Sequence, residues 1–465
     1  MHLDFILQKL EGKRVIILGY GREGSSSYHF IRRYFPTMDI TVSDKSETLS
    51  REDFLGDEHL TLITGKQYDR NLNDYDLILK SPGISFSKLD YLVDTERITS
   101  QTDLFLQAFH AQVVGVTGTK GKSTTSSLIY HLFKEAGRET ILAGNIGIPL
   151  FDVVERMTPQ TVVVAELSAH QLEFLHRSPD YAVLLNIYQE HLDHFNSFNN
   201  YQIAKINIAR FQDERKFFVY NGDDPLIEEL VQSYNLNRDR VIFGTKPHSG
   251  IYARCEDDVI RFYNGKTLLD EYDLKDHTHL PGRHNYFNIM AAIAVVRQFG
   301  LTPAEILHGL SSFHGLPHRL ERVGSYGEIT FFNDSISTIP EAAIAALKAL
   351  RKVDTLILGG YDRGIDYSGL IEYLGENPIR NVAFTGPAGE RILTEWKASS
   401  QPLPEHLVLE NDYRRIVAFA FEHTAPHKVV LLSPAAASYN QFKNFEERGD
   451  LFKQYIIEYA KNHNL

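Results

Sequence analysis

Gly115-Val116-Thr117-Gly118-Thr119-Lys120-Gly121-Lys122-Ser123-Thr124 has the composition of a loop built to hold phosphate. Glycines let backbone N–H groups turn toward phosphate oxygens. Lys122 supplies a cation for the β- and γ-phosphates, and the hydroxyl of Ser123 or Thr124 suits Mg2+. The spacing departs from the usual GxxxxGK[ST], because only Gly118-x-x-Gly121-Lys122-Ser123, preceded by Gly115, fits it. An ordinary glycine turn would not explain a lysine followed by hydroxyl residues where a strand runs into a helix. Glu166 follows the apolar run Thr161–Ala165, and a carboxylate at a strand tip suits a hard cation that prefers oxygen. His191 follows Ala182–Asn186 and stands beside Glu190 and Asp193. A lone histidine is more often structural; in this acidic company a ligand role is favoured.

A second glycine turn lies near the start. Gly19-x-Gly21-x-x-Gly24, with Asp44 about 20 residues further on, satisfies the dinucleotide fingerprint. Alone it would indicate an NAD-dependent dehydrogenase. A dehydrogenase has no use for the lysine-bearing loop at Lys122, so another nucleotide-like ligand is the favoured reading. NAD binding and a purely structural turn remain the alternatives.

The elements that must position these residues recur as strand–loop–helix units. Arg14–Leu18 and Ile40–Asp44 read as strands of a first unit, and Leu77–Gly83 as a further strand with a loop at its carboxyl end. Val113–Val116, Thr161–Ala165, Ala182–Asn186 and Phe217–Tyr220 read as strands of a second, with helices over Thr124–Ala136 and Asn285–Gln298 and a small antiparallel patch within Ile251–Tyr272. Ile329–Phe332, Thr355–Leu358, Val382–Phe384 and Val429–Leu432 belong to a third. Continuous β-branched runs imply strands buried on both faces, hence mainly parallel sheets under helices. Ligands then sit at the carboxyl ends of the strands. The expected architecture is α/β with three domains, at 1–109, 110–316 and 317–465; 465 residues exceed what one core usually supports.

A net charge of −12 argues against a nucleic-acid partner but not against small anionic substrates, which local N–H nests and a few cations can hold. The single cysteine, Cys255, fits a reducing compartment. The start lacks the basic and apolar regions of a signal peptide, and no apolar run approaches the ~18 residues of a membrane span. A cytoplasmic protein without a membrane partner, and a monomer, is the expectation.

Four more blocks accompany Gly118–Thr124 in a set order: Glu166–Glu173, Asn186–Asp193, His284–Asn288 and His318–Glu321. Together they resemble the Mur ligase superfamily, the amino-acid ligases of peptidoglycan precursors. Asn333-Asp334-Ser335, Leu358-Gly359-Gly360 and the long block Leu432–Gly449 look like its glutamate-adding branch. The resemblance spans essentially the whole chain. It implies three domains: a Rossmann-like one for the UDP-linked substrate, a central ATPase-like one and a Rossmann-like one for the amino acid. It implies ATP and Mg2+, with UDP-N-acetylmuramoyl-L-alanine and glutamate as substrates joined through an acyl phosphate.

The same resemblance distributes roles. Gly118, Thr119, Lys120, Gly121, Lys122, Ser123 and Thr124 are implied for ATP, with Asn285 and Asn288 toward adenine, Arg319 toward phosphate and Asp334 toward ribose. Metal ligation is implied for Ser123, Glu166 and His191. Lys122 and His191 are implied as catalytic, as is Lys205; alone Lys205 reads as a solvated helix lysine, but it matches the lysine that carries a carbamate. Gly21, Arg22, Asp44, Ser81, Gly83, Asn145 and Ser168 are implied for the UDP-substrate. Thr338, Arg363, Ser438 and Phe445 match acceptor positions, with domain closure completing the site. A folylpolyglutamate-synthetase-like ligase and a non-catalytic ATP-binding scaffold are the rival readings.

The acceptor end departs from the usual D-glutamate pattern. Where a lysine is typical after Asn-Asp-Ser, the chain has Ile336, and Arg363 replaces a lysine in Gly360-Tyr361-Asp362-Arg363-Gly364. Glutamate is expected, with its D or L configuration left open.

Overall fold

In the computed structural model, which describes residues 2–465 apart from Lys88, Asp90, Glu214, Arg215, Asn237, Arg238, Pro281, Arg351 and Asn440, three sheets account for the strands. Asn440, in the long C-terminal block, thus lies outside the described residues. The first sheet comprises Val15–Leu18 (β1), Ile40–Asp44 (β2), Leu60–Thr64 (β3), Leu77–Lys80 (β4) and Ile98–Thr99 (β5). All its pairings are parallel, in the order β3-β2-β1-β4-β5.

The second sheet holds Val113–Thr117 (β6), Thr140–Gly144 (β7), Val162–Glu166 (β8), Tyr181–Leu184 (β9), Phe217–Asn221 (β10), Asp239–Gly244 (β11), Ile251–Glu256 (β12), Val259–Asn264 (β13) and Thr267–Asp273 (β14). Its order is β14-β13-β12-β11-β10-β9-β6-β8-β7, with only the β12–β14 end antiparallel. β6 lies between β8 and β9, where the strand order reverses, so the loop after β6 opens at a switch point.

Glu321–Tyr326 (β15), Ile329–Asn333 (β16), Val353–Gly359 (β17), Asn381–Thr385 (β18), His406–Leu409 (β19) and Val429–Leu432 (β20) form the third sheet, in the order β15-β16-β20-β17-β18-β19. β15 alone is antiparallel. Leu356, Leu358 and Leu431 join one apolar cluster, while Ile357, Val430 and Leu432 join another. Alternate residues thus face opposite layers, which is why these strands read as unbroken apolar runs.

By its contacts the chain divides into two compact units, Met1–Thr278 with His284–Phe313, and His279–Arg283 with His314–Leu465. The first two sheets share the first unit. Apolar residues of both join one continuous cluster, in which Phe30 stacks on Phe151 with ring centres 4.3 Å apart, while Ile16, Leu18, Ile78 and Ile98 of the first sheet form another. Several local expectations shift by a residue or two. The helix after β6 begins at Lys122 instead of Thr124, and Glu166 is the last residue of its strand. β9 stops at Leu184, so His191 lies on a separate segment and not at the strand end. Among the described residues no helix is long and apolar enough to cross a membrane.

Candidate active site

The loop after β6 enters the helix Lys122–Glu135 through Gly121, which has a φ of +86° and no side-chain cap. No side chain caps this N-terminus, and the positive end of the helix dipole favours an anion. An ideal Cβ on Gly121 would come within 2.4 Å of Asn288 Oδ1, so space and backbone both demand glycine. Lys120 N donates to Asn186 Oδ1 (2.8 Å) and Asn186 Nδ2 returns a bond to Lys120 O (3.0 Å), pinning the loop to the segment after β9. Buried Thr119 accepts from Tyr188 N (2.9 Å) and shares a hydrogen bond with Tyr201 Oη (3.0 Å). Lys122 Nζ curls over the loop, donating to Gly118 O (2.8 Å) and Thr119 O (3.1 Å). The exposed Lys120 ammonium pairs with Glu190 at 2.7 Å.

Three predicted residues converge beside this loop. Glu166, 1% exposed, stands opposite Val116 in the sheet. Its Oε1 accepts from Asn145 Nδ2 (2.7 Å), while Oε2 is enclosed without a hydrogen-bond partner. A buried carboxylate oxygen left bare is costly. It suits a hard cation, with Ser123 in the first turn of the helix that follows the loop as a further oxygen donor. Lys205 is also 1% exposed, and its Nζ donates to Gly118 O (2.9 Å). Burial holds its amine well below the ordinary lysine range, and the Lys122 ammonium pushes the same way. Nothing in the residues around Lys205 signals that it is buried.

Other residues are engaged differently from the expectation. His191 is exposed, with φ +57°, its ring 4.8 Å from His170 and its Nε2 3.9 Å from Glu190. Among the described residues no group of three or more His, Cys, Asp or Glu is arranged to hold a metal ion. Ser168 caps the turn Ala169–Leu172, trading bonds with Gln171. Asn288 donates to Asn285 Oδ1 (2.9 Å) and accepts from Thr125 (3.2 Å), so both ends of its amide are used within the protein.

At the carboxyl ends of β1, β2 and β4 the N-terminal turn is tightly organised. Ser81 Oγ donates to Gly19 O (2.6 Å). Asp44 accepts from Tyr20 N (2.6 Å) and Ser46 N (2.7 Å). A pocket of about 240 Å3 opens there, lined by Tyr20, Asp44, Ser46, Thr48, Leu49 and Asp53. Gly21 and Gly83 are exposed on this rim. Arg22 reaches the loop after β7, donating to Gly144 O (2.7 Å) and Asn145 O (2.9 Å), and so links the turn to Glu166's partner.

In the second unit the strand ends of β16, β17 and β20 gather the remaining predicted residues. Asp334 is buried and accepts from Ser337 Oγ (2.5 Å), Ser433 Oγ (2.8 Å) and Leu320 N (3.1 Å). Burial pushes its carboxyl up to about 6. Arg319, exposed, stands between His318 and Leu320, both with positive φ. Arg363 Nη2 donates to Thr338 O (3.0 Å), and Ser438 is buried beside this group of loops. Phe445 opens the long helix Phe445–Asn462.

Two features escaped the sequence reading. Lys80, last in β4, is buried and paired with Glu173 (3.0 Å), which also meets His194 (3.1 Å). Nearby Glu23 accepts from Gln171 (2.6 Å) through one oxygen, while the other is enclosed without a partner; burial raises its carboxyl to about 7. The only sequence signal was charge inside otherwise apolar or glycine-rich runs. Arg448 is the second, a fully buried guanidinium in the long C-terminal block.

Known proteins resemble this chain in sequence and fold. The sequence pattern of the Mur ligase middle domain matches residues 116–296, and that of the Mur ligase glutamate ligase domain matches residues 318–436. A UDP-N-acetylmuramoylalanine–D-glutamate ligase of Acetivibrio thermocellus is 32% identical, over 98% of this chain and 98% of its own. One from Desulfitobacterium hafniense is 33% identical over 96% and 98%. Among solved structures, MurF ligase from Thermotoga maritima in complex with ADP superposes with a TM-score of 0.56 at 20% identity, covering 96% of this chain and 98% of that one.

Proposed function

This chain belongs to the Mur ligase family, and from that premise we propose that it joins glutamate to UDP-N-acetylmuramoyl-L-alanine, converting ATP to ADP and phosphate, in the cytoplasmic assembly of peptidoglycan precursors. The observation that carries the reading is the convergence of Lys122, the bare Glu166 oxygen and the buried Lys205 on the loop after β6. The full-length similarity to D-glutamate ligases supports the substrates.

The chemistry follows from these groups. The alanyl carboxylate takes the γ-phosphoryl group of ATP, giving ADP and an acyl phosphate. The glutamate amine then attacks the acyl carbon, the C–N bond forms, phosphate leaves and the ammonium proton passes to solvent. Lys122 and the helix N-terminus at Gly121 neutralise charge on the transferring oxygens, and Thr119, Lys120, Ser123 and Thr124 complete the cradle. Glu166 and Ser123, with His191 from the neighbouring segment, are the residues that would hold Mg2+. When bound, that ion neutralises phosphate charge. Burial, with the Lys122 ammonium pushing the same way, favours the uncharged form of the Lys205 amine, and that form has the free electron pair needed to take up CO2; on losing a proton it would become an anionic carbamate, a further oxygen donor. We assign Gly21, Arg22, Asp44, Ser81, Gly83, Asn145 and Ser168 to the UDP-substrate. Asn285, Asn288, Arg319 and Asp334 go to ATP, and Thr338, Arg363, Ser438 and Phe445 to the acceptor. The corresponding regions are 1–109, 110–316 and 317–465, in a monomer.

The relatives' names specify D-glutamate. L-Glutamate is the second reading, favoured by Ile336 and Arg363. The test is phosphate release with UDP-N-acetylmuramoyl-L-alanine, ATP and each enantiomer. Glutamate-dependent release supports the proposal, and its absence with both enantiomers overturns it.

A further inference from the structure

Arg448 lies on the helix Phe445–Asn462 and its guanidinium reaches three strand-end loops at once. After β16, Ser335 accepts Nε at Oγ (2.9 Å) and Nη2 at its carbonyl (2.8 Å). After β20, Nη1 donates to Ala436 O (3.1 Å) and Ala437 O (3.3 Å). A longer bond, 3.5 Å, reaches Gly359 O at the end of β17. Ser335 Oγ also donates to Phe445 O (2.8 Å), closing the circuit onto the helix start. The loops approach so closely that a Cβ on Gly360, at φ +144°, would lie 2.2 Å from Ala437 O and 3.0 Å from Arg448 Nη1.

Among the described residues no carboxylate pairs with Arg448; its partners are carbonyls and one hydroxyl. Burying a cation without a counter-ion costs stability, and an apolar side chain of similar volume would often serve the core better. A role in arrangement explains the cation. A planar fork with five N–H donors on three nitrogens holds carbonyls of three loops at fixed angles, where a lysine offers three rotatable donors from a single point.

Each of these loops continues into a residue assigned above to the acceptor: Ser335 toward Thr338, Gly359 toward Arg363, Ala437 into Ser438. We propose that Arg448 is the positioning residue of the acceptor site, setting the mutual register of the three loops and lending them an unneutralised positive charge that an anionic amino acid answers. The proposal rests on the ligase reading and deepens its acceptor half.

The test uses the full chain with Arg448→Lys and Arg448→Met, assayed by phosphate release below their melting temperatures, with each substrate titrated in turn. The expected result is a tenfold or greater rise in KM for glutamate in Arg448→Lys and a larger one in Arg448→Met. KM for ATP and for UDP-N-acetylmuramoyl-L-alanine should stay within twofold of wild type. A glutamate KM within twofold of wild type, or all three KM values rising together, overturns it. Where neither variant folds, Ser335→Ala removes only the hydroxyl that joins Arg448 to the Phe445 carbonyl. A threefold or greater rise confined to glutamate then supports the proposal, and any smaller or shared change overturns it. A wild-type enzyme without glutamate-dependent release overturns the ligase reading and this one with it, whereas an active wild type with uniformly altered variants overturns this one alone.

Discussion

Lys122 stands at the mouth of the phosphate loop with its ammonium held by two backbone carbonyls, so removing it alters charge far more than packing. Lys122→Ala is expected to slow phosphate release on the order of 10²–10³-fold while melting near the wild-type temperature. Turnover close to wild type would remove the loop assignment. Lys205→Ala is expected to lose activity to a similar order and to regain part of it with acetate, whose carboxylate imitates a carbamate. Full activity without acetate would leave Lys205 with a packing role only. Glu23 offers a test through stability. Its folded pKa, about 7, lies above the ordinary glutamate value because burial penalises the charged form. Between about 4.5 and 7 the folded state holds a proton that the unfolded chain releases, so stability falls as pH rises through that window. Glu23→Gln, of the same shape and always neutral, should therefore be more stable than wild type at pH 8 by about 1–3 kcal/mol, with the difference shrinking as pH falls and vanishing only below about pH 4.5. Melting curves across that range that run parallel would contradict the buried-carboxylate account.

At the scale of elements, the N-terminal turn separates two nucleotide readings. Asp44, the acid after the second strand, accepts backbone N–H groups at both oxygens and so shapes the turn, while the ATP assigned to the loop after β6 leaves this turn for the uridine nucleotide in place of a dinucleotide cofactor. Calorimetry on the full chain is expected to show UDP binding and no NAD binding; NAD binding tighter than UDP would reverse the assignment. The elements that carry chemistry were legible because they are apolar strands feeding glycine or polar loops: β1, β6, β8, β17 and β20 all follow that pattern. Edge elements were not. β15 is an outer strand with Gly324 at an irregular register and a largely half-exposed surface, so it lacks the apolar run that marks a buried strand. β3 and β19 lie at sheet edges with mixed polarity for the same reason. Lys205, Glu23 and Arg448 were illegible as buried groups, because sequence shows that a residue is charged and not where its partners lie. Their environments depend on loops far apart in the chain.

At the scale of the whole molecule, a chain of net charge −12 is proposed to gather a UDP-sugar, ATP and an acidic amino acid, all anions. Local fields must outweigh the global one, and two are available: an uncapped helix N-terminus with Lys122 in one unit, and Arg448, paired with no carboxylate among the described residues, beneath the strand ends of the other. The acceptor loops sharpen this into a prediction about selectivity. Arg363 is exposed and anchored through Thr338 O, and the neighbouring Asp362 is gripped by Arg391 through two bonds of 2.7 and 2.9 Å, which fixes the loop that carries Arg363. A fixed guanidinium offers a carboxylate a planar, two-point grip, where a lysine would offer a single mobile charge. Ile336 adds no second cation on the facing loop. A site with one oriented carboxylate clamp should therefore distinguish side-chain length sharply. Glutamate is expected to be used at least tenfold better than aspartate in kcat/KM, and Arg363→Lys to shrink that ratio by raising KM for glutamate more than for aspartate. The two enantiomers place the same side-chain carboxylate on the clamp with the amine displaced. Their ratio should then show in kcat more than in KM, because only attack on the acyl carbon depends on where the amine sits. Equal use of aspartate and glutamate, or an Arg363→Lys variant with an unchanged ratio, would show that the acceptor side chain is held elsewhere.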